Sequence, residues 1–183
     1  MYVAQDAEDL ALVGRSLAGD TAAFETLVTQ HQRVFFTVAL RMLGNRDEAS
    51  DAVQNTFVKV YEKLDTFDRT RRFFSWAYRI LVNECLNLQR ARRPSEPIDE
   101  RLPAAGDPLE TLETEQRRER VQAAVLALPI ESREVIVLRH FTDLSYEEIG
   151  EALHVSAQTV KSRLHTARQR LAQMLIGLEE HHE

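Results

Sequence analysis

Apolar residues recur along this chain at helical spacing and strand-like alternation is absent, so an all-α fold is expected. The first long stripe follows Asp20, a good capping residue. Phe24, Leu27, Val28, His31, Val34, Phe35, Val38, Ala39 and Met42 share one face until Gly44 and Asn45 end the helix. Asn45, with Glu48 three residues on, starts a second helix whose inward stripe is Ala49, Ala52 or Val53, Phe57, Val60 and Leu64. A loop from Asp65 to Thr70 then opens a third helical stretch, RRFFSWAYRILVNECLNLQRARR.

The period is lost between Arg93 and Leu112, a stretch that holds four of the five prolines. This reads as a flexible linker over 94–109, separating a first helical domain, 1–93, from a second, 110–183.

In the second domain the pattern from Asp143 to Arg170 predicts two short helices around a tight turn. Ser145 can accept from the backbone N–H of Glu148 while Glu148 reaches back to Ser145, so a capping box starts the first near Tyr146. Ile149, Ala152 and Leu153 face inward, leaving Glu147, Glu148 and Glu151 in water. The turn falls at His154–Val155–Ser156, and Ser156 caps the second helix, whose buried face is Val160, Leu164, Ala167 and Leu171. Its opposite stripe carries Gln158, Lys161, Ser162, His165 and Arg168, the flexible donors that major-groove base edges and phosphates require. The pattern is that of a helix-turn-helix.

Charge sharpens this reading. The chain has a net charge of −6, yet Ala152 to Leu178 contains four Lys/Arg and no acid. A local positive field in an acidic protein points to a polyanion. A second basic stretch runs from Arg69 to Arg93, with seven arginines against the single acid Glu84, interleaved with Phe73, Phe74, Trp76 and Tyr78. Guanidinium groups with aromatic faces suit a single strand, although Phe73, Trp76 and Ile80 also sit at spacings that suit a core. At least half of these aromatics are expected to be structural. Asn83, one turn beyond Arg79, offers a paired donor and acceptor without an evident packing reason.

The acidic N-terminal residues Asp6, Glu8 and Asp9 are unlike a secretory signal, and no apolar run approaches the ~20 residues of a membrane span. A cytoplasmic protein without membrane insertion is expected. One cysteine, Cys85, excludes an internal disulfide and a cysteine-based zinc cluster, and its apolar neighbours suggest a buried thiol. The motifs of phosphate loops, serine hydrolases and zinc proteases are missing, so neither enzymatic activity nor a metal or other cofactor is expected. The adjacent His181 and His182 in an acidic tail read as solvated.

In their order, the segments GDTAAFETLV, DEASDAVQNTFVKVYEKLDTF, FFSWAYRILVN, LPIESREVIVLRHFTDLSYEEIGEAL and TVKSRLHTARQRL resemble the extracytoplasmic-function sigma factors, the two-domain branch of the bacterial sigma-70 family. The resemblance spans Gly19 to Leu171. It implies binding to core RNA polymerase, recognition and opening of promoter DNA, and restraint by an anti-sigma factor. Asp47, Glu48, Asp51, Gln54, Phe57 and Val58 would then dock on polymerase. Phe67, Arg71, Arg72, Phe73, Trp76, Arg79 and Asn83 would receive the minus-10 element with its flipped base. Gln158, Lys161, Ser162, His165 and Arg168 would read the minus-35 element.

The chain departs from the family pattern in three places. His154 stands where helix-turn-helix proteins often carry Gly, Thr166 where relatives often have a second Arg, and Ser50 and Asn55 where acids are frequent. A stand-alone helix-turn-helix regulator is the alternative, and it leaves the Arg-aromatic stretch and the first domain without a role.

Overall fold

The caps that the sequence supplies set the first helices. A computed structural model describes residues 2–91, 112–142 and 144–179, and among them every regular element is helical. Helix α1 covers Tyr2–Leu17, α2 Thr21–Leu43, α3 Arg46–Glu62 and α4 Phe73–Ala91. The Asp20 carboxylate accepts from the Ala23 N–H at 3.2 Å to open α2. Gly44, left-handed at φ 72°, closes it by donating its N–H to the Leu40 carbonyl. Asn45 accepts from the Glu48 N–H at 3.0 Å, and α3 begins at once.

These helices bury the stripes that the periodicity marks. Leu27, Phe35, Val38, Ala39 and Met42 of α2 meet Ala49, Ala52, Val53, Phe57 and Val60 of α3, all buried. Phe35 stacks on Phe57 with centroids 5.3 Å apart and receives Tyr78 of α4 edge-on at 5.8 Å. Cys85 lies in this core, and burial, with Glu84 beside it, pushes its thiol up to about 12, which keeps it protonated and inert. Helix α1 has no counterpart in the sequence reading, which took its acids only as evidence against a signal peptide. It is fastened by a buried pair, His31 Nε2 and Asp9 Oδ1 at 3.0 Å.

The second domain contains α5, Leu112–Ala127, α6, Ile130–Phe141, α7, Tyr146–Leu153, and α8, Ala157–Glu179. Val135, Val137 and Leu138 of α6 pack on Ile149 of α7 and on Val160, Leu164 and Ala167 of α8. The linker expected over 94–109 falls outside the described residues, as do His181 and His182. The two helical sets touch: the end of α2 lies against α5 and α6, and α4 lies against α7. Arg133 of α6 fixes the first of these contacts, donating from Nη1 to the Met42 carbonyl at 2.8 Å.

Candidate nucleic-acid interface

The α7–turn–α8 unit is built as its sequence dictates. The Glu148 N–H donates to Ser145 Oγ at 3.2 Å, and Glu148 Oε2 accepts from the Ser145 N–H at 2.7 Å, completing the capping box. His154 takes the left-handed conformation at φ 56°. Ser156 Oγ accepts from the Thr159 N–H at 3.1 Å and caps α8. Gly150 is required for the close approach of the turn, since a β-carbon there would stand 2.6 Å from the Val155 carbonyl oxygen.

This frame holds α8 with Val160, Leu164 and Ala167 buried, so the opposite stripe is presented as a unit. Gln158, Lys161, Ser162, His165 and Arg168 are all exposed. Arg163 is not among them, because its Nη1 reaches inward to Glu134 Oε1 at 3.0 Å and ties α8 to α6. Burial still drives the Glu134 carboxyl up to about 7; Arg163 opposes that rise and Glu131 adds to it.

The candidate minus-10 residues divide. Arg72, Trp76, Arg79 and Asn83 follow one another at spacings of four, three and four, so they form one stripe at the start of and along α4. Asn83 is exposed, and Arg72, Trp76 and Arg79 are half-buried. Phe67 and Phe73, expected to contact DNA, are placed in the core: both are buried, at 6% and 1% exposure. Their rings meet edge-on at 5.8 Å, and Phe67 also lies 5.1 Å from Trp76. They anchor the loop before α4, whose turn is made by Asp68 Oδ1 accepting from the Thr70 N–H at 3.0 Å and from its hydroxyl at 2.7 Å.

One further expectation changes here. Glu148, read as solvated, is half-buried and accepts from Arg72 of the other domain as well as from Ser145. Burial alone would raise its carboxyl, but the bonds from the Ser145 N–H and from Arg72 bring it below the usual glutamate range.

On α3, Asp47, Asp51, Gln54 and Val58 are exposed, Glu48 is half-buried in the cap, and Phe57 is buried. Phe57 and Val58 line an open groove of about 890 Å³ between α2 and α3, together with Phe24, Val28 and Tyr61. Val58 and Tyr61 are 56% and 55% exposed, an unusual display of large apolar side chains on one helix. Tyr61 was missed in the sequence, though its place four after Phe57 and three after Val58 marks the edge of the stripe. Lys59 does not share this surface, since its ammonium lies 2.5 Å from Glu84 of α4.

Residues 27–94 match the family described as Sigma-70 region 2, and residues 118–171 match Sigma-70, region 4. The chain is 32% identical over 173 residues to the ECF RNA polymerase sigma factor SigW of Bacillus subtilis, spanning 87% of this chain and 92% of the relative. This chain belongs to the extracytoplasmic-function sigma factors. A similar likeness, 34% over 174 residues, joins the sigma factor to the ECF RNA polymerase sigma-E factor of Escherichia coli K12, over 88% of this chain and 91% of that one. Among solved structures it resembles CnrH, determined in complex with the cytosolic domain of CnrY. The TM-score is 0.75 at 29% identity, covering 93% of this chain and 98% of the other. It also resembles RpoE of Bartonella quintana in complex with the anti-sigma factor NepR, at a TM-score of 0.71 and 25% identity, over 83% and 96% of the two chains.

Proposed function

We propose that this sigma factor docks on core RNA polymerase through the α2–α3 groove and its acidic margin, captures the minus-10 element along α4, and reads the minus-35 element with α8. In this reading 1–93 is the polymerase and minus-10 domain, 94–109 the linker, and 110–183 the minus-35 domain. The observation that carries it is the α3 surface. Asp47, Asp51 and Gln54 flank the exposed apolar pair Val58 and Tyr61. A repressor that only binds duplex DNA has no use for such a surface, whereas a subunit that must dock on a large enzyme does.

The chemistry of each surface fits its task. Arg71, Arg72 and Arg79 supply guanidinium forks for phosphates, Trp76 a ring for stacking, and Asn83 an amide for the edge of an unpaired base. Lys161 and Arg168 fix α8 on the backbone while Gln158, Ser162 and His165 reach base edges. The sigma factor contributes no catalytic group of its own and works in the cytoplasm, beside polymerase. Among the described residues no helix is long and apolar enough to cross a membrane. The complexes of CnrH with CnrY and of RpoE with NepR support restraint of this chain by an anti-sigma factor as well.

Reconstitution tests the proposal. Purified protein added to core polymerase should yield discrete transcripts from genomic DNA that core alone does not make. A stand-alone regulator would yield none.

A further inference from the structure

Where the end of α2 meets α5 and α6, an open cavity of about 430 Å³ lies among the helices, within the ~300–1,000 Å³ range of small-molecule sites. Its walls are apolar, with Val125 of α5, Ile136 and Val137 of α6 and Leu171 of α8 lining it. Val121 and Phe141 also line it, and each keeps more than a third of its surface in water. The remaining lining is basic. Arg41, Arg117, Arg118 and His140 supply it, and no acid stands among the described residues around the cavity, in a chain whose net charge is −6. The wide groove between α2 and α3 is the contrasting case, since Glu25 and Glu62 line it and, among its described residues, no Lys or Arg does.

Arg41 is held in place without being neutralised. Its Nη1 donates to Oε1 of the buried Gln122, whose Nε2 in turn donates to the Arg41 carbonyl at 3.5 Å. The guanidinium also lies 5.2 Å from the centre of the Phe141 ring. Both partners are uncharged, so a half-buried cation is oriented but left without a counter-charge among the described residues. Burial, with Arg118 nearby, pulls this guanidinium below its ordinary value. His140 is lowered as well, by burial and then by Arg168 and Arg139, so it is neutral at pH 7 and offers a hydrogen bond rather than a charge.

We propose that this cavity binds an amphipathic anion, a straight-chain carboxylate of medium length, with its head group on Arg41 and Arg118 and its alkyl chain between α5 and α6. A guanidinium fork takes a carboxylate by two parallel charge-assisted hydrogen bonds, and the added negative charge offsets the repulsion between the two arginines. The apolar walls favour length, because each further methylene is withdrawn from water, while the arginines select the sign of the head group. The site shares no residue with the surfaces proposed for polymerase and DNA.

Titration calorimetry of the full-length chain with decanoate, kept below its micellar concentration, tests the site. Decanoate should bind saturably, one molecule to each chain. Butyrate has the same head group on a short chain and should bind at least about tenfold more weakly. Decyltrimethylammonium has the same chain with the opposite charge and should also be weaker by at least about tenfold. Arg41→Gln should weaken decanoate by about fivefold or more, and so should Val121→Asp, which sets a carboxylate at an exposed lining position. Arg33→Gln removes an equal charge from an exposed position of α2 and should leave the affinity unchanged, with circular dichroism checking the fold of all three variants. In the wild-type chain, where no substitution intervenes, nuclear Overhauser effects should run from the decanoate methylenes to the methyl groups of Ile136 and Leu171. Overhauser effects to Val58 and Tyr61 instead would place the ligand in the α2–α3 groove and overturn the proposal. So would a lack of saturable binding, equal binding of the cationic amphiphile, an equal loss in Arg33→Gln, or wild-type affinity in either Arg41→Gln or Val121→Asp.

Discussion

Gly44 and Leu126 meet across the two domains so closely that a β-carbon on Gly44 would stand 2.5 Å from Leu126 Cδ1. Gly44 is also left-handed, so its lack of a side chain serves the end of α2 and the domain contact together. Leu126 can swing its terminal methyl groups aside; the backbone conformation cannot be relieved that way. Gly44→Ala should therefore lower stability by about 1–2 kcal/mol, as the left-handed strain dictates. His154 holds the same conformation with a side chain in place, so His154→Gly should be neutral or gain up to about 1 kcal/mol. Urea denaturation of both variants, followed by helical circular dichroism, gives the two signs.

The carboxyl of Glu134 gives stability a specific pH dependence. Its folded value of about 7 lies above the ordinary 4.5, so the folded protein binds the extra proton between them. Its contribution is full below about 4.5 and is lost as pH rises through 7. Glu134→Gln keeps an acceptor for Arg163 and removes the titration. The wild type should lose stability relative to this variant between pH 5 and pH 8, on the order of 1–3 kcal/mol. Parallel denaturation curves with a constant offset at the two pH values would contradict the assignment.

The elements that were legible in the sequence are those whose ends and faces are decided locally. Ser145 with Glu148, Ser156 and the stripe Val160, Leu164, Ala167 specify α7, the turn and α8 without help from other elements, and the strained turn at His154 follows from its position. Helix α1 escaped because what holds it, Asp9 on His31, joins residues 22 apart. The ring-on-ring packing of Phe67 and Phe73 was not legible either, since an aromatic near a basic stretch looks alike in sequence whether it faces a base or another ring. The pairing of Arg72 with Glu148 is a tertiary contact across 76 positions, and neither local sequence carries a sign of it.

The α3 surface predicts two separable losses. Asp51→Arg places a cation at an exposed acidic margin and should weaken binding to core polymerase through repulsion of basic partner groups, with helicity intact. Tyr61→Ala removes a large exposed ring and should cost on the order of tenfold in affinity with little loss of stability. The salt response distinguishes them: the Asp51 effect should shrink as ionic strength rises, and the Tyr61 effect should persist. Undiminished co-elution of both variants with core polymerase would remove α3 from the interface.

On α8, Lys161→Ala and His165→Ala should differ in kind. A lysine on phosphate adds affinity without sequence preference, so its loss should weaken all promoters alike and reduce the salt slope by about one. A histidine on a base edge discriminates, so its loss should relax preference at one position and cost roughly 1–3 kcal/mol on the cognate site. Selection of bound sequences from a randomised minus-35 pool reads both effects. An unchanged profile for the His165 variant would take that residue out of the reading set.

Asn83 separates capture of the opened strand from docking. It is exposed at the far end of the stripe that begins at Arg72, beyond the part of α4 that α7 covers. Its amide can satisfy a donor and an acceptor on an unstacked base at once, which alanine cannot do, while an exposed helical position tolerates alanine with no loss of stability. Asn83→Ala should therefore keep polymerase binding and closed-complex formation and lose open-complex yield. A promoter already unpaired across the minus-10 element should restore activity only in part, because the cost of melting is removed but capture of the base stays defective. Permanganate reactivity of promoter thymines reports the open strand directly. Wild-type reactivity of the variant on duplex promoter would assign base capture to Trp76 and the arginines before it, and leave Asn83 as a solvated residue of α4.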